Sequence, residues 1–305
     1  MASISGALGP LFLLILLGAA LGVKRWPSDT FWPHMERLIY FVLFPAMLVA
    51  TLATADVSQV PVTRLALVLL GAMAAFGLLL WRLRARLKLT PAAFTSVFQG
   101  AVRFNTYVGV AGAAALHGSA GATTAAVAVA LMVPVVNIMC VASFVAAGTL
   151  GNASIGKSIM ALIKNPLILA CLLGIVLNLS GIGLPGWSHD TVDLLGRAAL
   201  PLGLVAVGVA LRPAALLRVD RGVLATNSVK LLLMPALVLG LAWLVGLDTV
   251  SRDVALLFAA LPTATSAYIL ARQLGGDAEL MAAIITGQTL LAMLTLPVWL
   301  QLASG

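Results

Sequence analysis

Long apolar runs separated by short polar or Gly/Pro breaks dominate the chain. They predict ten membrane-spanning helices, near residues 8–23, 33–54, 62–81, 91–116, 121–147, 166–182, 192–211, 222–245, 252–273 and 278–301. The fourth and ninth are the least uniform, because each carries polar residues and Gly or Pro near its middle. The first run is preceded by the uncharged stretch Met1 to Gly9 and followed by Lys24 and Arg25, so it reads as a retained span rather than a cleaved signal.

Composition sharpens this picture. Of 305 residues, 62% are hydrophobic and 9% charged, and the mean hydropathy is +1.11. A soluble domain carries about 25% charged residues, so a soluble fold is excluded. Ten spans of about 20 residues take up roughly 200 positions and leave no room for an extramembrane domain.

The net charge of +8 does not point to nucleic acid, since the basic residues lie in short pieces between apolar runs. With Arg82, Arg84, Arg86 and Lys88 taken as cytoplasmic, alternate connections add Lys24, Arg25, Arg37, Lys157, Lys164, Arg212, Arg218, Arg221 and Arg272. Thirteen basic residues then face the cytoplasm against Arg64, Arg197 and Arg252 outside, which predicts that both termini lie outside. Cys140 and Cys171 sit within apolar runs and read as small packing residues, not as a disulfide.

Comparing the chain with itself at an offset of 156 residues reveals a repeat. Gly9 to Gly22 overlies Asn165 to Asn178 with Pro10/Pro166 and Gly18/Gly174 in register, Pro45 falls on Pro201, and Leu48-Val49-Ala50 falls on Leu204-Val205-Ala206. With small shifts, Phe104-Asn105-Thr106 meets Leu261-Pro262-Thr263, and Pro134 meets Pro297. The chain is therefore expected to be an all-α polytopic membrane protein. Its first five-span repeat covers 1–147, a cytoplasmic linker 148–165, and a second repeat 166–305. Five being odd, the second repeat enters the membrane inverted, as in many secondary transporters.

Such folds place their site where corresponding helices break near the bilayer midplane. Gln99 to Gly109 puts a guanidinium, two amides and two hydroxyls into the fourth span, and Leu261 to Tyr268 supplies Pro262 followed by Thr263, Thr265 and Ser266 in the ninth. Arg103, Asn105, Thr106, Thr263, Thr265 and Ser266 are the substrate-binding candidates, with Phe104 and Pro262 at the crossover. A charge at membrane depth costs at least about 2.5–3.5 kcal/mol. Arg103 either clamps a carboxylate, or is satisfied by helix-end carbonyls, or snorkels to the cytoplasmic side. A half-helix starting near these residues would turn its positive end to the site and favour an anion.

Lys230, with Asn227 one turn earlier, is either a charge or coupling group or a snorkelling lysine. Gln288 and Asn137 line the site or make interhelical hydrogen bonds. Pro45, Pro134, Pro201 and Pro297 read as kinks. Asp56, Asp193, Asp253, Asp277 and Glu279 all fall near span ends, which disfavours carboxylate-based ion sites. His34, His117 and His189 stand alone, and neither metal spacing nor a hydrolase motif is present, so no enzyme, metal or cofactor is expected. Gly275-Gly276-Asp277 reads as a turn, and Gly18/Gly22 as a weak helix-packing motif.

The order QGAVRFNTYVGVAG, VKLLLMP and LPTATSAYILARQLGGDAELMAAIITGQTLLAMLTLPVWL resembles the auxin efflux carrier family. It is most similar to the bacterial branch of malate or malonate permeases. The resemblance implies ten helices in two inverted repeats with a sodium/proton antiporter-like crossover of helices 4 and 9. It implies a scaffold of helices 1, 2, 6 and 7, a mobile unit of 3–5 and 8–10, elevator-like alternating access, and a dimer through the scaffold in a bacterial inner membrane. Asn105-Thr106 and Pro262 match the plant Pro-Asn-Thr motif and crossover proline, whereas Phe104 replaces the first proline of that motif. The expected function is secondary transport of a small organic anion, a mono- or dicarboxylate. The alternatives are a sodium-coupled carrier of larger acids on the bile-acid symporter fold, and a non-transporting membrane sensor or scaffold.

Overall fold

The computed structural model describes residues 4–149, 156, 160, 163–218 and 221–304. All regular structure among the described residues is helical. Helix α1 covers Ile4–Val23. Helix α2 (Phe31–Leu38) runs through a π turn, Ile39–Leu43, into α3 (Phe44–Thr54), and α4 spans Val62–Leu87. Next come α5 (Pro91–Val102) and α6 (Thr106–Ala147). The second half contains α7 (Pro166–Leu179), α8 (Gly186–Val209) and α9 (Arg221–Ser228), which continues through a π turn, Val229–Leu233, into α10 (Met234–Leu244). Helices α11 (Thr249–Ala260), α12 (Ser266–Leu274) and α13 (Ala278–Ser304) complete it.

Seven described segments are long and apolar enough to cross a bilayer, so the protein is an all-α, multi-pass membrane protein. One of them, Pro91–Ala147, has 57 residues. As a single rod it would be about 85 Å long, far more than an apolar core of about 30 Å. It is interrupted at Arg103–Asn105 and again at His117–Gly118, where Gly118 takes φ 58°, ψ −137°, a conformation open mainly to glycine. The segments α7, α11 and α12, with 14, 12 and 9 residues, fall short of a crossing individually.

Two boundaries differ from expectation. Helix α4 continues six residues beyond the predicted end at 81, through Arg82, Arg84 and Arg86. Arg84 steadies that extension by donating to the Ala146 carbonyl at 2.9 Å and lying 5.3 Å from the rings of Trp81 and Phe94. Helix α8 begins at Gly186, not near 192. Most of the predicted linker 148–165 lies outside the described residues.

Helix ends follow local chemistry. Thr90 caps α5 by accepting from the Ala93 N–H, with Pro91 at the first helical position. Asn165-Pro166 does the same for α7, and Asp248 caps α11. Helix α12 ends at Gly275, which is left-handed at φ 77°, while the Gly276 N–H returns to the Ala271 carbonyl at 2.8 Å. That is the turn expected at Gly275-Gly276. Each π turn lies just before a proline, Pro45 or Pro235. A mid-helix proline lacks the N–H and crowds the carbonyl four residues back, and the wider turn relieves that crowding. The Leu231 carbonyl freed by Pro235 accepts instead from the Trp299 indole at 2.8 Å.

The chain divides into two compact units, each drawing on both halves of the sequence. The first comprises Met1–Val62, Tyr107–Val133 and Ile163–Leu211, and the second Thr63–Thr106, Pro134–Leu162 and Arg212–Gly305. In the first unit α1 packs on α8, and α3 on α7. Glycines set both contacts. A Cβ on Gly18 would run into the Val205 carbonyl, one on Gly208 into the Ile15 carbonyl, and one on Gly174 would lie 2.8 Å from the Leu52 Cβ and 3.4 Å from the Val49 Cα. In the second unit α13 packs against α5, α9, α11 and α12.

Because a backbone carbonyl cannot rotate aside, Gly18→Leu is expected to destabilise the first unit by about 1–3 kcal/mol or more. Gly71→Ala, where nothing lies within 4 Å, should leave stability unchanged within about 0.5 kcal/mol. Melting of the two purified variants in detergent checks the contrast.

Candidate functional site

Both expected helix interruptions are present, and the second unit brings them together. Helix α11 stops because Leu261 precedes Pro262 and is therefore driven out of the helical region, to φ −67°, ψ 148°. Helix α5 stops without a proline. Arg103 turns extended at φ −77°, ψ 158°, and the Asn105 N–H, which an unbroken helix would use internally, donates to the Pro262 carbonyl at 2.9 Å. The edge of Phe104 meets the ring of Phe258 with centroids 5.4 Å apart. The other break thus does for the first what a local proline would have done.

Gln288 on α13 ties the two breaks together. Its Oε1 accepts from the Thr263 N–H at 2.8 Å, and its Nε2 donates to the Gly100 carbonyl at 2.9 Å. Thr263 also directs its hydroxyl to the Gln99 carbonyl at 3.5 Å. Gly100 permits this approach, since a Cβ there would come within 2.7 Å of Thr226 and Ile284. Gln288 and Thr263 are both fully buried, so losing any of these bonds would strand a polar group away from water.

Arg103 reaches across to the start of α12. Its Nη2 lies 3.4 Å from the Ser266 hydroxyl, its Nη1 is buried with no hydrogen-bond partner among the described residues, and the buried Cys140 thiol lies beside the guanidinium. A guanidinium has five N–H donors, and most of them remain unused here. It also points at a helix N-terminus, which carries partial positive charge. Cation against positive helix end is unfavourable on its own and becomes favourable once an anion lies between them.

The remaining candidates are distributed around this core. Asn105 is buried, Thr106 opens α6, and Thr265 is half-buried just ahead of α12. Asn137 lies on α6 one turn before Cys140 and is half-buried. Lys230 does not snorkel: it is 1% exposed, and its Nζ donates to the Met234 sulfur at 3.5 Å. Asn227 faces Gly287 of α13 and leaves its Oδ1 without a partner among the described residues. Gln99, which the sequence counts among the polar groups of the fourth span but not among the binding candidates, has both side-chain amide atoms buried and without a hydrogen-bond partner among the described residues. Sequence reasoning reads Cys140 only as packing.

Comparison with known proteins fits this geometry. The family described as membrane transport protein matches residues 150–300. The match covers just under half of the chain. The match includes the second break, Lys230 and Gln288, while Arg103 to Thr106 lie outside it. A stretch of 134 residues is 28% identical to an uncharacterized transporter of Methanothermobacter thermautotrophicus. That stretch is 44% of each chain, so the similarity spans less than half of this curated relative.

Gln288→Leu removes the acceptor for Thr263 N–H and the donor for Gly100 C=O. Two stranded backbone groups at about 1–3 kcal/mol each should lower the melting temperature markedly. Gln288→Glu keeps the acceptor and should lose less. Thermal melting of the three purified proteins measures the order.

Proposed function

We propose that this protein is a secondary transporter of a small organic anion, a mono- or dicarboxylate, bound where its two interrupted helices cross. The observation that carries the reading is the pairing of Asn105 N–H with Pro262 C=O beside an under-bonded Arg103 that faces the α12 N-terminus. Arg103, Ser266 and Thr265 contact the carboxylate, Asn105, Thr106 and Thr263 shape the crossover, and Phe104 and Pro262 hold the two breaks.

The architecture behind this proposal is ten passes in two inverted five-helix repeats. Reciprocal contacts in the first unit support it. Gly18 lies on Val205, and Gly174 lies on Val49. At the 156-residue offset Gly18 corresponds to Gly174 and Val49 to Val205, so each contact is the image of the other, as a two-fold relation between repeats requires. The first unit groups helices 1, 2, 6 and 7, which supports a scaffold built on them, although it also takes in Tyr107–Val133 from the expected mobile unit. Elevator-type movement of that unit and a dimer through the scaffold complete the proposal, in a bacterial inner membrane with both termini outside.

Uptake of labelled mono- and dicarboxylates into proteoliposomes tests it. A charge-assisted pair is worth about 1.5–3 kcal/mol, so Arg103→Ala should reduce uptake roughly ten- to a hundredfold, with Arg103→Lys in between. Undiminished uptake in the alanine variant would remove the clamp. Saturable binding without flux in the wild type would favour a sensor, and strict sodium dependence a sodium-coupled carrier.

A further inference from the structure

Lys230 occupies the π turn Val229–Leu233 that Pro235 imposes on its helix. The side chain is 1% exposed, and among the described residues its Nζ finds one hydrogen-bond partner, the Met234 Sδ. A thioether is a weak, uncharged acceptor. An ammonium held there has neither counter-charge nor hydration, among the costliest arrangements a protein interior can contain.

The surroundings offer no compensating carboxylate. The elements packed on the π turn are α5, α9, α10, α11 and α13. Their titratable residues are Arg221 at the first position of α9, Arg252 and Asp253 early in α11, and Glu279 early in α13, while α5 and α10 contribute none. Asp253 adjoins Arg252, 3.7 Å away. Arg103, directly after α5, is itself cationic. Lys230 therefore forms no ion pair among the described residues. The same packed elements do carry unspent hydrogen-bonding capacity, at the Asn227 Oδ1 one turn earlier and at both amide atoms of Gln99, all buried. These groups suit a chain of waters that forms when the layer opens.

We propose that Lys230 is the proton-carrying group of the transport cycle, an inference that rests on the carrier reading above. While sealed, the amine is uncharged. On opening, its lone pair takes a proton from hydronium in the entering water, so that one N–H bond forms as one O–H bond breaks and a neutral water is left. The resulting ammonium adds to the positive potential of the crossover and favours anion loading. The proton returns to water on the opposite side, so proton and anion cross together. A cationic site replaces the carboxylate that proton-coupled carriers would otherwise need.

Lys230→Met suits the apolar setting, and Lys230→Gln serves if the first variant fails to fold. In proteoliposomes with labelled malonate as probe, an inward proton gradient should speed wild-type uptake several-fold and acidify the lumen in step. The variants, whatever their remaining rate, should ignore the gradient. A variant that still responds to the gradient overturns the proposal. A wild type whose uptake of malonate ignores the gradient also overturns the proposal and leaves the carrier reading standing, whereas a wild type that moves no carboxylate at all refutes the carrier reading itself.

Discussion

Backbone groups released where a buried helix breaks cannot turn to water, and the second unit is organised around satisfying them. Each break uses the other: Asn105 N–H finds Pro262 C=O, and Gln288 serves Thr263 N–H and Gly100 C=O with a single side chain. The same requirement explains Trp299, which takes the Leu231 carbonyl that Pro235 leaves open. With the backbone satisfied from within, the Arg103 guanidinium is left with spare donors at the point where α12 begins. A polar, positive focus in an otherwise apolar bundle follows from this arrangement without any acidic residue.

The first unit meets a different constraint. Its helices approach through glycine, with Gly18 and Gly208 set against backbone carbonyls of the facing helix. Such contacts leave no room for side chains to shift, so the α1–α8 pair is fixed in register by backbone shape alone. Polar chemistry is concentrated in the second unit, and close steric matching in the first.

Much of this was legible in the sequence. The apolar runs marked the helices, Pro262 marked the second break, and the polar run around Arg103 marked the first even though Phe104 supplies no proline. The reason for the first break was not legible, because its decisive partner, the Pro262 carbonyl, is more than 150 residues away in the chain. Gln288 looked like any interhelical glutamine until both its ends were placed. Lys230 looked equally suited to snorkelling, and only the π turn before Pro235 and the packing around it put the amine inside. The extension of α4 past residue 81 was missed because hydropathy falls at the arginines, although Arg, Leu and Ala all favour helix. Cys140 gave no sign of its neighbour, since proximity to Arg103 depends on how α6 lies against the break.

The central claim is that the crossover is an anion site, and ligand-dependent melting of the purified wild-type protein tests it most directly. A ligand that binds only the folded state raises the melting temperature with its concentration. Carboxylates are predicted to do so and their uncharged amides to have no effect. Equal stabilisation by the amides, or stabilisation only by cations, would contradict the account.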